Sequence, residues 1–451
     1  MPGWCFVAAV VLGAVLRLWS LGHGTLSADE SYAAVSAHLP FTQIWGHIAA
    51  TDPHPPLSYL MLSPVAHLFT SNLAVRLPAA ACSALAVAVM AWWQRDRGVA
   101  GLVATVVLAV SPFALEYGRE ARMYGLVTLA SVALAAAADR WLGSGATRWA
   151  VMAGVAAFVI AFSYSAGAIM PVALALVAGW RRDRAAWVLR ASAGAALAVW
   201  AVLWLGHAVH WSHATSGYPS LTGSWVRQML TSMVAPVPSE EWLVLGLLLA
   251  GLVAVCWQST RQRTLVLALF VAPVLGLLAV SLHNNIFLPK SLIMVAWAPS
   301  LLIGGLAGVA WQYRPLLGAV VIAGAALAML PYVGTARSVD EGAGSMVEAV
   351  AAARRPGDAM AMSPVQLGTL LDWYESIRPG RAVQSDTHAI PGAVVYRFEG
   401  EHQTGRVWLV ESEARTELGE HSSGLAGWVS CGAPRPVGGG YTMRCIEPDA
   451  R

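Results

Sequence analysis

Eleven apolar runs constrain this chain more than any other feature; they lie near residues 4–21, 73–93, 99–115, 124–139, 148–163, 166–180, 186–208, 242–257, 264–282, 290–310 and 315–333. A helix of about 20 apolar residues crosses a bilayer, and somewhat fewer serve where loops are tight. The 451 residues are 57% hydrophobic and 12% charged, whereas about a quarter of a soluble domain is charged. The expectation is an all-α polytopic membrane protein of about eleven spans. The first run has no basic stretch before it and no small-residue cleavage site before Asp29, so it reads as a retained span rather than a signal peptide.

Basic residues set the orientation. Gln94-Arg95-Asp96-Arg97, Asp139-Arg140 through Arg148, Arg181-Arg182-Asp183-Arg184, Arg261-Gln262-Arg263 and Gln312-Tyr313-Arg314 all fall on one face if the N-terminus is inside. The segment 57–70 is too short to span and reads as interfacial; counting it as a span would invert every later loop. The net charge of +3 gives no reason to expect a nucleic-acid partner, and the composition makes membrane lipids the surroundings.

The opposite face then carries residues 22–72, 116–124, 209–241, 283–289 and everything after 335. Its first loop holds Asp29-Glu30-Ser31-Tyr32. These acids suit a helix N-terminus capped by Ser27, where the dipole favours them, and they equally suit acid–base chemistry. Asp52-Pro53-His54-Pro55-Pro56 follows, its three prolines holding a carboxylate and a histidine on an extended turn. The second loop, Glu116-Tyr117-Gly118-Arg119-Glu120-Ala121-Arg122-Met123-Tyr124, offers two arginines that either pair locally or fork onto a phosphate. His283 and Lys290 stand at the outer mouth of the tenth run, with a cation that anchors the helix end or neutralises a lipid-linked phosphate. Trp45, Tyr59, Trp211, Tyr218 and Trp225 add aromatics to that face.

From about residue 336 the composition becomes that of a soluble domain. A helical run at 346–354, a Pro356-Gly357-Asp358 turn and strand-like stretches at 359–362, 393–398 and 406–410 suggest a small extracytoplasmic α/β domain over 336–451, after a membrane domain over 1–335. The Asp372-Trp373-Tyr374-Glu375 cluster in it reads as packing and surface. Cys431 and Cys445 flank a Pro/Gly-rich loop and suggest a hairpin disulfide, hence an oxidising compartment; Cys5, Cys82 and Cys256 sit in apolar runs as small hydrophobes.

Arg17-Leu18-Trp19, Asp29-Glu30-Ser31-Tyr32, His54-Pro55-Pro56-Leu57-Ser58-Tyr59 and Arg76-Leu77-Pro78, in that order and spacing, resemble the opening of the GT-C superfamily. The likeness is closest to the family 39 type, which includes protein O-mannosyltransferases and, nearby, lipid A aminoarabinose transferases. Glu120-Ala121-Arg122-Met123-Tyr124 after Ser111-Pro112 is similar to that family's second outer loop. The resemblance covers about the first 130 residues. It implies an inverting glycosyltransferase of the cell inner membrane, with a polyprenyl-phosphate sugar donor and a glycan, lipid or protein acceptor. It implies that Asp29 acts as general base or orients the acceptor nucleophile, and that Glu30 supports it or helps bind a metal. It further implies that His54, Tyr59, Arg119, Arg122, Tyr124, His283 and Lys290 bind substrate, and it leaves open a divalent metal, Mg or Mn, on Asp29, Glu30 and His54. Where the family usually shows an Arg-Tyr pair on a late span, this chain has Lys290-Ser291, a point cation instead of a fork.

Two other classes compete. A transporter would line a pathway with charges near the midplane, but apart from Arg17 near one end the run interiors read as lacking ionisable residues, and the charges gather on one face. A non-catalytic assembly protein would use the C-terminal domain to hold a partner.

Overall fold

The computed structural model describes residues 1–24, 26–179, 181–210, 220–235, 241–283, 285–334, 349, 352–353, 358–363, 382–385, 394–398, 407–412, 428–431, 435–436 and 441–448. Trp211, Tyr218, the Asp372–Glu375 cluster, the Pro356-Gly357 turn and most of the expected helix at 346–354 lie outside them. The chain divides into two compact units. One comprises Met1–Leu21, Pro40–Leu62 and Arg76–Arg337; the other comprises Gly22–Leu39, Ser63–Val75 and Ser338–Arg451. Two pieces of the first loop thus group with the segment from Ser338 onward.

In chain order the helices are α1 Gly3–Leu18, α2 Ala28–Ala37, α3 Phe41–Thr51, α4 Leu57–Leu68, α5 Asn72–Gln94, α6 Gly98–Val110, α7 Pro112–Arg119, α8 Tyr124–Ser144 and α9 Thr147–Ser163. They continue as α10 Ile169–Val177, α11 Arg184–His210, α12 Gly223–Ser232, α13 Glu241–Gln258, α14 Thr260–Val266, α15 Ala272–Ser281, α16 Trp297–Tyr313 and α17 Pro315–Val333. Each of the eleven apolar runs coincides with one of these helices or with a broken pair of them. Among the described residues six helical stretches suffice by length and composition to cross a membrane, or seven with the bent pair Pro289–Val295 and α16, while four apolar helices are shorter. The chain is a multi-pass membrane protein. The segment expected to be interfacial is α4, twelve residues long with Pro64 inside it.

Prolines break two of the runs that read as continuous and mark a π turn in a third. Pro112 has no N–H and opens α7, so the third run ends at Val110 and not at 115; Ser111 caps the new helix, its Oγ accepting the Ala114 N–H at 3.2 Å. Pro273 follows a π-helical turn at Leu267–Val271. Pro299 lies in the first turn of α16, where it clashes with a continued helix; the preceding residues Pro289–Val295 form a 3-10 segment bent by 61° from α16. Ser291 to Val295 are buried in protein, which is where irregular backbone is tolerated at membrane depth.

The core of the first unit runs from Ala86 to Met329 and is rich in alanine, with Trp93, Trp141 and Trp297 filling its larger gaps. Small residues let the helices close up: a Cβ on Gly304 would come within 2.5 Å of the Ala100 carbonyl, and one on Gly308 within 2.5 Å of the Ala100 Cβ. Ionisable residues inside the runs are not limited to Arg17. Buried Arg76 donates to the Leu21 carbonyl at 3.3 Å, and Arg190 near the start of α11 donates to the carbonyls of Gly179 and Arg181. All three sit near a helix end, where a long cation answers orphan carbonyls.

The second unit contains a sheet of seven strands: β1 Ala359–Ser363, β2 Ala382–Ser385, β3 Val394–Phe398, β4 Val407–Ser412, β5 Trp428–Ser430, β6 Arg435–Pro436 and β7 Tyr441–Pro448. The order is β2-β3-β1-β4-β7-β5, with β6 also on β7. Only β1 and β4 pair in parallel, Ala361 opposite Leu409. Ala359, Ala361, Val407, Leu409 and Ile446 form its buried cluster. Cys431 and Cys445 are joined by a disulfide, with Cα atoms 5.2 Å apart.

Candidate active site

The Pro-rich turn after α3 is fixed by its own aspartate. Asp52 ends α3, and its Oδ1 accepts the His54 N–H at 2.6 Å across Pro53, the local bond that makes Asp a turn residue. Its other oxygen, Oδ2, accepts the Tyr59 hydroxyl at 2.7 Å. Arg122, 70 residues further along, donates from Nη1 to the Tyr59 hydroxyl at 2.8 Å and reaches Asp52 Oδ2 at 3.5 Å. Tyr59 is thus the bridge in a buried set of three: Asp52 is 4%, Tyr59 2% and Arg122 8% exposed. Buried charges of opposite sign in hydrogen-bonded contact avoid the cost that either would carry alone.

Around this set the turn is clamped from two further elements. The Pro53 carbonyl accepts the Ser165 hydroxyl and, at 3.0 Å, the Trp204 indole N–H. The His54 ring lies 4.8 Å from the Tyr164 ring, and the Tyr164 hydroxyl shares a hydrogen bond of 3.0 Å with Ser291. Tyr124, 1% exposed, stands between Tyr117 and Tyr164, with ring centroids 5.4 and 6.3 Å away. Four segments far apart in sequence therefore meet: 52–59, 117–124, 164–165 and the start of the 3-10 segment at Lys290-Ser291. Burial pushes the Glu116 carboxyl above the usual carboxylate range. Burial also lowers the His47 pKa, and the nearby Asp52 charge opposes that.

Of the residues expected to bind substrate, His54, Tyr59, Arg122 and Tyr124 belong to this network, and half-buried Lys290 adjoins it through Ser291. Arg119, 5% exposed, donates to the Trp19 carbonyl at 3.0 Å. His283 is exposed at the end of α15 and takes no part. Of the aromatics, Trp225 donates its indole N–H to the Phe287 carbonyl, and Trp45 stands edge-on to Trp204. Tyr164 and Ser291 carry no mark in the sequence, and Asp52 is marked only as the carboxylate of the Pro-rich turn. An aspartate opening a Pro-His-Pro-Pro turn was the one available signal, since it must use its side chain to hold the turn.

In the second unit, Ser27 and Glu30 form a reciprocal cap on α2. Ser27 Oγ accepts the Glu30 N–H at 3.2 Å, and Glu30 Oε2 accepts the Ser27 N–H at 3.0 Å. Glu30 is completely buried, and Asp29 beside it is half-buried in the first turn. Glu30 thus caps α2 through one carboxylate oxygen. Among the described residues no three His, Cys, Asp or Glu side chains gather as a metal-holding group. Ser27→Ala removes one half of the cap, a loss of about 1 kcal/mol. Amide hydrogen exchange in the first turn of α2 is expected to quicken about fivefold, with α8 unchanged.

No family model matches the chain, and no curated protein does. Among solved structures, the chain is similar to the protein O-mannosyltransferase Pmt1-Pmt2 complex of S. cerevisiae bound to the sugar donor, at 17% identity over 46% of this chain and 32% of that one, with a TM-score of 0.33. It is similar to the oligosaccharyltransferase AglB of Archaeoglobus fulgidus in complex with an inhibitory peptide and a dolichol-phosphate, at 12% identity over 82% and 63%, with a TM-score of 0.46. A third is the arabinosyltransferase EmbB of Mycobacterium smegmatis, at 14% identity over 86% and 44%, with a TM-score of 0.43. The chain thus matches between about a third and under two thirds of the length of each.

Proposed function

We propose that the protein is an inverting glycosyltransferase that moves a sugar from a polyprenyl-phosphate carrier to an acceptor hydroxyl on the extracytoplasmic face. In this reading all eleven apolar runs span the inner membrane, the N-terminus is inside, and the oxidising side carries the Cys431–Cys445 bridge. The observation that carries the reading is the meeting of Asp52, His54, Tyr59, Arg122, Tyr164 and Lys290-Ser291 at one end of the helices. That end is polar, aromatic and cationic, as a sugar phosphate requires. The sequence resemblance supplies the base.

The acceptor oxygen attacks C1 of the donor sugar, the C1–O bond to phosphate breaks with its electron pair going to the phosphate oxygen, and the hydroxyl proton passes to Asp29. Displacement from one side inverts C1. A carboxylate within reach of the acceptor provides the base, and fixed positive charge stabilises the leaving phosphate. Asp52 offsets the charge of Arg122, so Arg122 shapes the wall and orients His54 through their shared aspartate. Lys290 and Arg119 supply the net positive charge. His54 on Tyr164 offers a ring face and ring nitrogens to sugar or phosphate.

The test is transfer of radiolabelled sugar from a panel of polyprenyl-phosphate donors into membrane extract. The wild-type chain is expected to move label, and Asp29→Asn to lose at least 100-fold in rate, the lower end of what a positioned general base contributes, while keeping its thermal midpoint. Equal transfer by both proteins, or none from any donor by folded wild type, would sink the reading and favour a scaffold.

A further inference from the structure

A second polar site lies at the other end of the helices. Tyr124 opens α8 and Asp139 stands near its close, about 22 Å away at 1.5 Å per residue. Asp139 is 2% exposed and gathers three donors: Trp93 Nε1 at 2.8 Å, Arg97 Nη2 at 3.3 Å and Arg261 Nε at 2.6 Å. Arg140 stands close enough to Arg97 for their charges to repel, as does Arg261. Two guanidinium groups thus share one buried carboxylate with Arg140 standing near them, and the region keeps an excess of positive charge.

Beside this cluster is a cavity of about 460 Å³. Its walls include Gln94, Arg97, Gln258, Gln262 and Trp311, together with Gly98, Val99 and Ala100, the first residues of α6. Two amide atoms at these walls have no hydrogen-bond partner among the described residues: Nε2 of Gln94, a residue 1% exposed, and Oε1 of Gln262. A buried polar atom left unsatisfied costs about 1–3 kcal/mol, so such a pair calls for a ligand with matching groups. The wall supplies two kinds of recognition. The α6 N-terminus, Arg97 and the Gln94 amide N–H all favour an oxyanion. Gln262 Oε1 and Asp96, which also lines the cavity and pairs with Arg95 at 3.7 Å, accept hydroxyl protons.

We propose that this cavity is a binding site for a polyol phosphate, its phosphate held at the start of α6 by Gln94 and Arg97 and its hydroxyls by Gln262 and its neighbours. The same chemistry is presented by the glycerol headgroup of phosphatidylglycerol at the membrane surface and by soluble glycerol 3-phosphate. The site is separate from the Asp52 network and does not depend on the transferase reading.

Native mass spectrometry of the full chain in detergent tests it, with phosphatidylglycerol, phosphatidylcholine and glycerol 3-phosphate as probes. Wild type is expected to hold phosphatidylglycerol at least tenfold more tightly than phosphatidylcholine, which has the phosphate without hydroxyls. Gln94→Met with Gln262→Met should weaken that binding about tenfold, the loss expected for one bond to a charged group. Binding of glycerol 3-phosphate alone, sensitive to the same variant, would support the site and make its ligand soluble. Equal binding of the two lipids without glycerol 3-phosphate binding, or full binding by the folded double variant, would overturn it. If the double variant fails to fold, the wild-type comparison of the three probes decides by itself.

Discussion

Arg122→Ala is expected to lower the stability of the solubilised protein by about 3–5 kcal/mol, the cost of removing one partner from a buried pair. Its loss leaves the Asp52 carboxylate 4% exposed with the Tyr59 hydroxyl still donating at 2.7 Å but no guanidinium to balance its charge. The direct ion pair is long, 3.5 Å, whereas both bonds through the Tyr59 hydroxyl are shorter than 2.9 Å. The hydroxyl therefore carries the coupling, and Tyr59→Phe should by itself cost about 1–3 kcal/mol. A double-mutant cycle over Arg122→Ala and Asp52→Asn gives the sharpest reading. Because Asp52→Asn removes the charge that Arg122 balances, the two losses should fall short of additivity by about 0.5–3 kcal/mol. Additive losses in a thermal or chemical melt would show that the three residues do not act together. Asp52 also holds the turn that presents His54, so the transferase activity proposed above should fall in each single variant beyond what lost stability explains.

Arg17→Met is the second substitution with a large expected effect, of about 3 kcal/mol or more. Arg17 is completely buried and makes four hydrogen bonds: to Ser83 Oγ at 2.7 Å and to the carbonyls of Gly13, Ala109 and Leu108 at 3.1, 2.9 and 3.0 Å. The Leu108 carbonyl would ordinarily accept from the residue four ahead, but that residue is Pro112, which has no N–H. The guanidinium fills that place. Methionine conserves much of the volume while leaving several buried acceptors unpaired, at about 1–3 kcal/mol for each group not rescued by relaxation. Arg17→Lys should recover only part, because a lysine cannot fork across two successive carbonyls and a hydroxyl. The check is the melting temperature of both variants together with hydrogen exchange at α7. Ser83, the partner of Arg17, also donates to the Ala114 carbonyl at 3.3 Å, so exchange in α7 should rise with the loss of Arg17. A melt unchanged within about 0.5 kcal/mol would show that this set of bonds is not what fixes the break at Ser111.

These two sites differ in how far the sequence foreshadows them. Arg17 stands in the Arg17-Leu18-Trp19 stretch that carries the family resemblance, yet its role as the cap of another helix depends on Leu108 and Ala109, over 90 residues away. The turn at Asp52-Pro53-His54 is legible as a rigid display of a carboxylate and a ring. Its partner is not, because Arg122 has two glutamates near it in sequence and reaches a third carboxylate 70 residues back.

What the sequence determined by itself is what local chemistry can enforce. Apolar runs of spanning length had to become helices, because nothing else satisfies the backbone in hydrocarbon. Ser27 three residues before Glu30 had to cap α2, since the side chains and the N–H groups they serve lie within one turn. Cys431 and Cys445 close a short hairpin in which β7 supplies the backbone partner, Cys431 N–H to the Cys445 carbonyl at 3.0 Å. Tertiary structure decided which part each polar residue far from its partner plays: Arg122 on Asp52, Tyr164 on Ser291 and His54. It also decided that Pro299 turns the tenth run into a bent pair, and that Gln94 and Gln262 face one cavity. The reason is the same in each case. Side-chain bonds between helices depend on how the helices pack, and packing follows from small residues such as Gly304 and Gly308 meeting Ala100 on a neighbouring helix, a relation that no spacing along one chain records.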